Sequence, residues 1–106
     1  MFNGKTIAWG LAVALAVGAC SVTPPVQEMS DARQAISAAE TADAERFAAE
    51  ALEEADALLN SAERNLERRA YAAARRDAVL AKESAMRARD LAESLRDQRY
   101  RSSDQP

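Results

Sequence analysis

The 106 residues contain no histidine and a single cysteine, Cys20. These two shortages remove the usual general base, the usual reactive nucleophile and the usual transition-metal ligands, so an enzyme, a bound metal and a cofactor are not expected. Glycine and proline are almost as scarce, three of each, and neither occurs between Val26 and Gln105. No glycine-rich loop is therefore present to cradle a phosphate group. Aromatic residues make up only 5% of the chain, and no stretch alternates β-branched with polar residues as a half-buried strand would. The most apolar run, Ile7 to Ala19, covers 13 residues, whereas a membrane-spanning helix needs about 20.

What that run does offer is a signal for export. Met1 to Lys5 forms a short basic leader, Thr6 to Val17 an apolar segment, and Val17-Gly18-Ala19-Cys20 has the small residues a signal peptidase requires, arranged as in a bacterial lipobox. The expected cut lies between Ala19 and Cys20, which makes residues 1–19 a lipoprotein signal peptide and Cys20 the acylated first residue. Two or three acyl chains hold a protein at a membrane far longer than one, because each buried CH₂ contributes about 0.8 kcal/mol. The chain is expected to be anchored to a membrane without spanning it. Ser21 follows the cysteine where lipoproteins of Gram-negative bacteria retained in the inner membrane carry Asp, so the expected location is the outer membrane, facing the periplasm.

Cleavage leaves residues 20–106, enough for one small domain. Pro24-Pro25 predicts an extended tether over residues 20–27, about 20 Å long at roughly 3 Å per residue. Beyond it Ala, Glu, Arg and Leu dominate, the strongest helix formers, and the expected fold is all-α. The apolar seam shifts phase along the chain. Met29, Ala32, Ile36 and Ala39 share a phase with Tyr71, Ala74, Ala78, Ala81, Ala85, Ala88, Ala92 and Leu95, while the middle buries Leu52, Ala55, Leu59, Ala62 and Leu66. The drift of a straight helix, about 20° per heptad, is too small for so abrupt a change. Three helices are therefore expected, at 27–41, 48–67 and 71–97, with breaks at 42–47 and 68–70. The helical domain spans 28–97 and a polar tail 98–106.

Charge favours a chain that folds back on itself. Residues 28–56 carry nine acids against Arg33 and Arg46, a net of −7, while residues 63–101 carry eleven bases against seven acids, a net of +4. Turning at Arg69 predicts the pairs Glu63–Arg75, Asp56–Lys82 and Glu50–Arg87. Exposed pairs contribute about 0 to 1 kcal/mol each, so they select a register more than they stabilise it. The architecture expected is a short antiparallel bundle of three helices: a long hairpin of the second and third, with a shorter helix before it. Alanine along the seam lets helices approach to the lower end of the ~8 to 10 Å range. It also makes a thin core, and one this size rarely supplies more than ~3 to 5 kcal/mol.

Three stretches carry a resemblance. Pro25-Val26-Gln27-Glu28-Met29-Ser30-Asp31-Ala32-Arg33-Gln34-Ala35-Ile36, then Glu45-Arg46-Phe47-Ala48 leading to Leu52 and Ala55, then Ala70-Tyr71-Ala72-Ala73-Ala74-Arg75-Arg76-Asp77-Ala78, resemble the bacterial lipoproteins of the "domain of unknown function 4398" family. The resemblance covers nearly the whole mature helical region and implies an envelope location and a helical architecture, with no established activity. Members of that family typically place Pro after the aromatic-Ala pair and often Gly before the Tyr, where this chain has Ala49 and Arg69.

Two kinds of function fit such a chain. One is a non-catalytic interaction or scaffold module that docks another envelope protein. The other is a Braun-type structural lipoprotein, a self-assembled coiled coil linking outer membrane and cell wall. That type ends in a lysine joined to the wall, and this chain ends Arg101-Ser102-Ser103-Asp104-Gln105-Pro106; the phase break also disfavours a continuous rod. The expected partners are the membrane, through lipid on Cys20, and another envelope protein, with a homo-oligomer left open. Neither nucleic acid nor a small-molecule substrate is expected. The acids Glu53, Glu54 and Asp56 read as a solvated helix face, because adjacent helical positions do not face each other. The arginines of the third helix have two readings: binding an anionic lipid or polymer, or, as favoured here, pairing with the acidic half.

Overall fold

The computed structural model describes residues 23–104. The signal peptide, the cleavage pair Ala19 and Cys20, and the first residues of the tether lie outside the described residues. Within them 89% of the chain is helical and no strand occurs, so the chain is all-α as expected. Four helices are present rather than three: α1 Val26–Thr41, α2 Ala44–Phe47, α3 Ala49–Glu67 and α4 Tyr71–Asp104.

The boundaries differ from expectation in three places. Helix α1 begins at Val26, inside the expected tether, because Pro25 acts as a cap residue and not as an extended spacer: its carbonyl accepts the Met29 amide at 3.1 Å. Its ring is buried. The expected break at 42–47 holds α2, a single turn whose first backbone bonds run from Arg46 and Phe47 to the Asp43 carbonyl. One residue, Ala48, with φ −146° and ψ 44°, separates α2 from α3. Finally, α4 continues through the expected polar tail to Asp104, since no breaker stops it and Asp97 and Arg101 stand one turn apart.

Both left-handed residues, Asp43 (φ 68°) and Arg69 (φ 61°), sit where a helix ends. Asp43 is of a type that tolerates this conformation, while Arg69 bears its cost, about 1 to 2 kcal/mol for a residue with a Cβ. Arg69 is repaid by a complete Schellman motif. The Ala70 amide donates to the Asn65 carbonyl at 2.8 Å and the Arg69 amide to Leu66 at 3.0 Å, closing off α3 and reversing the chain.

Cross-helix contacts fix the directions. Along α3 the partners on α4 run backwards, with Glu54 beside Arg87 and Asn65 beside Asp77, so the two helices are antiparallel. Helix α1 runs alongside α4 in the same sense: Met29 clusters with Ala78, and Ile36 and Ala39 with Ala85, Ala88 and Ala92. The expected seam is the buried one, from Met29, Ala32, Ile36 and Ala39 through Leu52, Ala55 and Ala62 to the six alanines Ala74 to Ala92.

Two polar residues on α4 share the burial. Ser84 is 1% exposed and accepts a bond from Arg87 Nη2 at 2.9 Å, while Asp77 is 7% exposed. Oδ2 of Asp77 accepts from Ser61 Oγ at 2.7 Å and from Asn65 Nδ2 at 2.9 Å, a bridge from α4 to α3 in which every buried side-chain polar atom has a partner.

The ion pairs correct the expected register. Arg75 donates to Glu28 Oε1 at 3.1 Å and to the Thr23 carbonyl at 3.0 Å, not to Glu63. Glu63 pairs with Arg33 at 3.3 Å, and Arg87 with Glu54 at 3.6 Å rather than with Glu50. Asp56 and Lys82 form no ion pair among the described residues. The physical reason is that α1 lies against α4 as well, so Glu28 competes for Arg75, and Arg87 is long enough to reach a carboxylate one turn along.

Candidate functional site

Beyond the level where α3 begins, the face of α4 that buries alanine changes character. The three-four spacing that runs through Ala85, Ala88 and Ala92 continues to Leu95 and Arg99, with Arg96 beside them. At that level α1 has ended, α3 has not begun, and the neighbour is the single turn α2. Asp43, Arg46 and Phe47 come from the α2 side, and Arg96, Arg99, Tyr100 and Ser103 from α4; together they line an open groove.

Phe47 organises it. The turn at Asp43 and the extended break at Ala48 hold its ring between helices, half-buried, with its inner side against the core cluster of Ile36, Ala39 and Leu52. Two guanidinium groups lie over the ring, Arg46 at 5.2 Å and Arg99 at 5.9 Å from its centroid. Each such contact contributes about 0.5 to 1 kcal/mol at an exposed site. A guanidinium stacked on a ring uses its face and leaves its N–H edge free to donate in the plane. Among the described residues, Arg46, Arg96 and Arg99 form no ion pair and no side-chain hydrogen bond. Tyr100 presents its ring to solvent, 69% exposed.

The groove brings together cations and aromatic surface with one carboxylate, Asp43. It contains no nucleophile aligned with a base, and no group of three or more metal-ligating side chains occurs among the described residues. Such a set of side chains can pair with an anion and pack against an apolar surface.

The residues singled out from sequence lie elsewhere. Cys20 and Ala19 are outside the described residues. Glu53, Glu54 and Asp56 are exposed on the solvent side of α3, and only Glu54 is engaged, by Arg87. The basic run at 68–76 divides its duties: Arg69 makes the turn, Arg75 ties α4 to the start of α1, and Arg76 lies 3.7 Å from Asp77 Oδ1. Arg99, Tyr100 and Ser103 fall in the expected polar tail 98–106, and Asp43, Arg46 and Phe47 in the expected break 42–47, so nothing in the sequence reading brought the two segments together. The signal that marks the α4 side is the seam spacing itself, which runs on through Leu95 to Arg99.

No family model, characterised protein or solved structure matches this chain. None of its helices in the described region is long and apolar enough to cross a membrane.

Proposed function

We propose that the chain is an outer-membrane lipoprotein of a Gram-negative bacterium, anchored through acyl chains on Cys20 and facing the periplasm, where it acts as a non-catalytic helical interaction module. In this reading, α1, α3 and α4 form a three-helix, up-down-up bundle of the lipoprotein family named above. The observation that carries the proposal is polarity. The chain leaves toward the lipobox at Thr23, beside Arg75 near the start of α4, while the basic and aromatic groove lies near the other end of that helix. From Tyr71 to Arg99 is about 42 Å at 1.5 Å per residue. A module tethered at one end with a recognition surface at the other is suited to reaching outward from a membrane.

The competing reading, a self-assembled Braun-type rod, needs an apolar seam free to meet other copies. The alanine seam of α4 is instead filled by α1 and α3 of the same chain, which favours the module. Cys20→Ser is expected to abolish incorporation of labelled fatty acid and to leave the precursor unprocessed. Labelling equal to that of the unsubstituted protein would overturn the anchor. In-cell crosslinking from Tyr100 and from Glu53 tests the module: capture of a different envelope protein from Tyr100 supports it, and capture of only further copies of this chain from both sites points to the rod.

A further inference from the structure

We infer that the groove between α2 and the end of α4 binds the carboxylates of an acidic peptide segment. This rests on the reading of the chain as an interaction module, and the choice of a peptide over a lipid head group rests on its anchor at Cys20.

The argument begins with charge. The whole chain has a net charge of −3, and the arginines along its body are committed: Arg33, Arg75 and Arg87 each bridge to a carboxylate on another helix. Arg46, Arg96 and Arg99 are different. They converge on one groove with Asp43 as the only carboxylate lining it, and among the described residues none has an anionic partner. Three cations gathered at one end of an acidic protein repel one another, and an anionic ligand relieves that repulsion.

Geometry then selects the anion. Arg46 and Arg99 both lie over the face of Phe47, 5.2 and 5.9 Å from its centroid, and their N–H donors have no partner among the described residues. A carboxylate accepts two parallel bonds from a guanidinium fork. The Phe47 and Tyr100 rings add apolar surface for the methylenes that carry a glutamate or aspartate carboxylate, and an open groove admits an extended chain. Phosphate head groups of a membrane satisfy the charge equally well, but they are in the wrong place: the groove is some 40 Å along α4 from the end where the chain leaves toward Cys20.

The test uses the full lipidated protein in detergent micelles and fluorescein-labelled octaglutamate, followed by anisotropy at fixed salt. The peptide should bind saturably. Arg96→Gln/Arg99→Gln should weaken binding at least about tenfold, as expected when two charge-assisted contacts are lost. Phe47→Leu, which keeps apolar packing but removes the ring on which the guanidiniums stack, should weaken it about threefold or more. Arg64→Gln/Arg68→Gln removes the same charge from exposed residues away from the groove and should change affinity less than twofold. Circular dichroism confirms that each variant stays helical.

An equal loss in the Arg64/Arg68 variant would reduce the effect to net charge and overturn the site. So would an unchanged affinity in the Arg96/Arg99 variant. Displacement of the peptide by phosphatidylglycerol vesicles at equal charge would identify a lipid-head site instead. If octaglutamate fails to bind while Tyr100 still crosslinks an envelope protein, the peptide proposal falls and the module reading stands.

Discussion

The body of the molecule and its far end are built from the same α4 helix on opposite principles. In the body, small side chains pack α4 against α1 and α3, and each buried polar group is answered: Asp77 by Ser61 and Asn65, Ser84 by Arg87. At the far end, large charged and aromatic side chains face a single helical turn, and their donors point to solvent. One region spends its polar groups on holding helices together. The other gathers Arg46, Arg96 and Arg99 with no ion pair among the described residues, and the proposed binding role draws on that difference.

The contrast breaks most visibly at Ala81. It is fully buried mid-seam on α4, so Ala81→Glu places an unpaired charge where helices are too close to admit water. The cost should exceed the ~3 to 5 kcal/mol that so thin a core supplies. A soluble fragment starting at Val22 should then lose its cooperative thermal transition. A melting curve like that of the unsubstituted protein would show that the seam does not organise the body.

A smaller effect is expected at Asp77→Ala, which strips Ser61 and Asn65 of their common acceptor. Since both donors are half-buried and partly reachable by water, the loss should be about 1 to 2 kcal/mol, read from the midpoint of urea unfolding. Asp77→Asn, which retains an acceptor, should lose less. If the two variants are equally destabilised, charge and not hydrogen bonding holds that bridge.

Smallest of all should be Arg99→Gln, with a loss below about 1 kcal/mol, the scale of its one exposed contact with the Phe47 ring. Urea titration again decides. A loss as large as that of Asp77→Ala would make the far end a stability element like the body and erase the distinction between them.

How much of this could be read from the letters follows the same division. The 3.6-residue period exposes any face that is buried along its whole length, so the seam from Met29 to Ala92 and the reversal at Arg69 were legible. Asp77 was not, since its bonds come from another helix, from Ser61 and Asn65, 12 or more residues away; nor was Ser84, whose bond from Arg87, one turn along its own helix, leaves no mark on the apolar period. The register of ion pairs failed because a pairing of two helices ignores the third: Glu28 of α1 took Arg75. The groove was hidden by composition. Residues after Asp97 are polar enough to resemble a tail, although nothing in them stops a helix. Ala49 is the first residue of α3, the place where Pro is best tolerated, and Arg69 is the left-handed residue that Gly would occupy without strain.

Alanine in the core also bears on how the fold responds to heat. Among the described residues, thirteen of the sixteen buried apolar side chains are alanine. A methyl group withdraws little surface from water and has no rotamers to lose. Both the heat capacity of unfolding and the denaturant slope scale with the area that unfolding exposes. The protein should therefore have a heat-capacity increment below the usual ~12 to 15 cal/mol/K per residue, and a shallow dependence on urea. Its stability curve should be low and flat, so that folded and unfolded populations change less between cold and warm surroundings than they would in a leucine-cored helical protein of the same length.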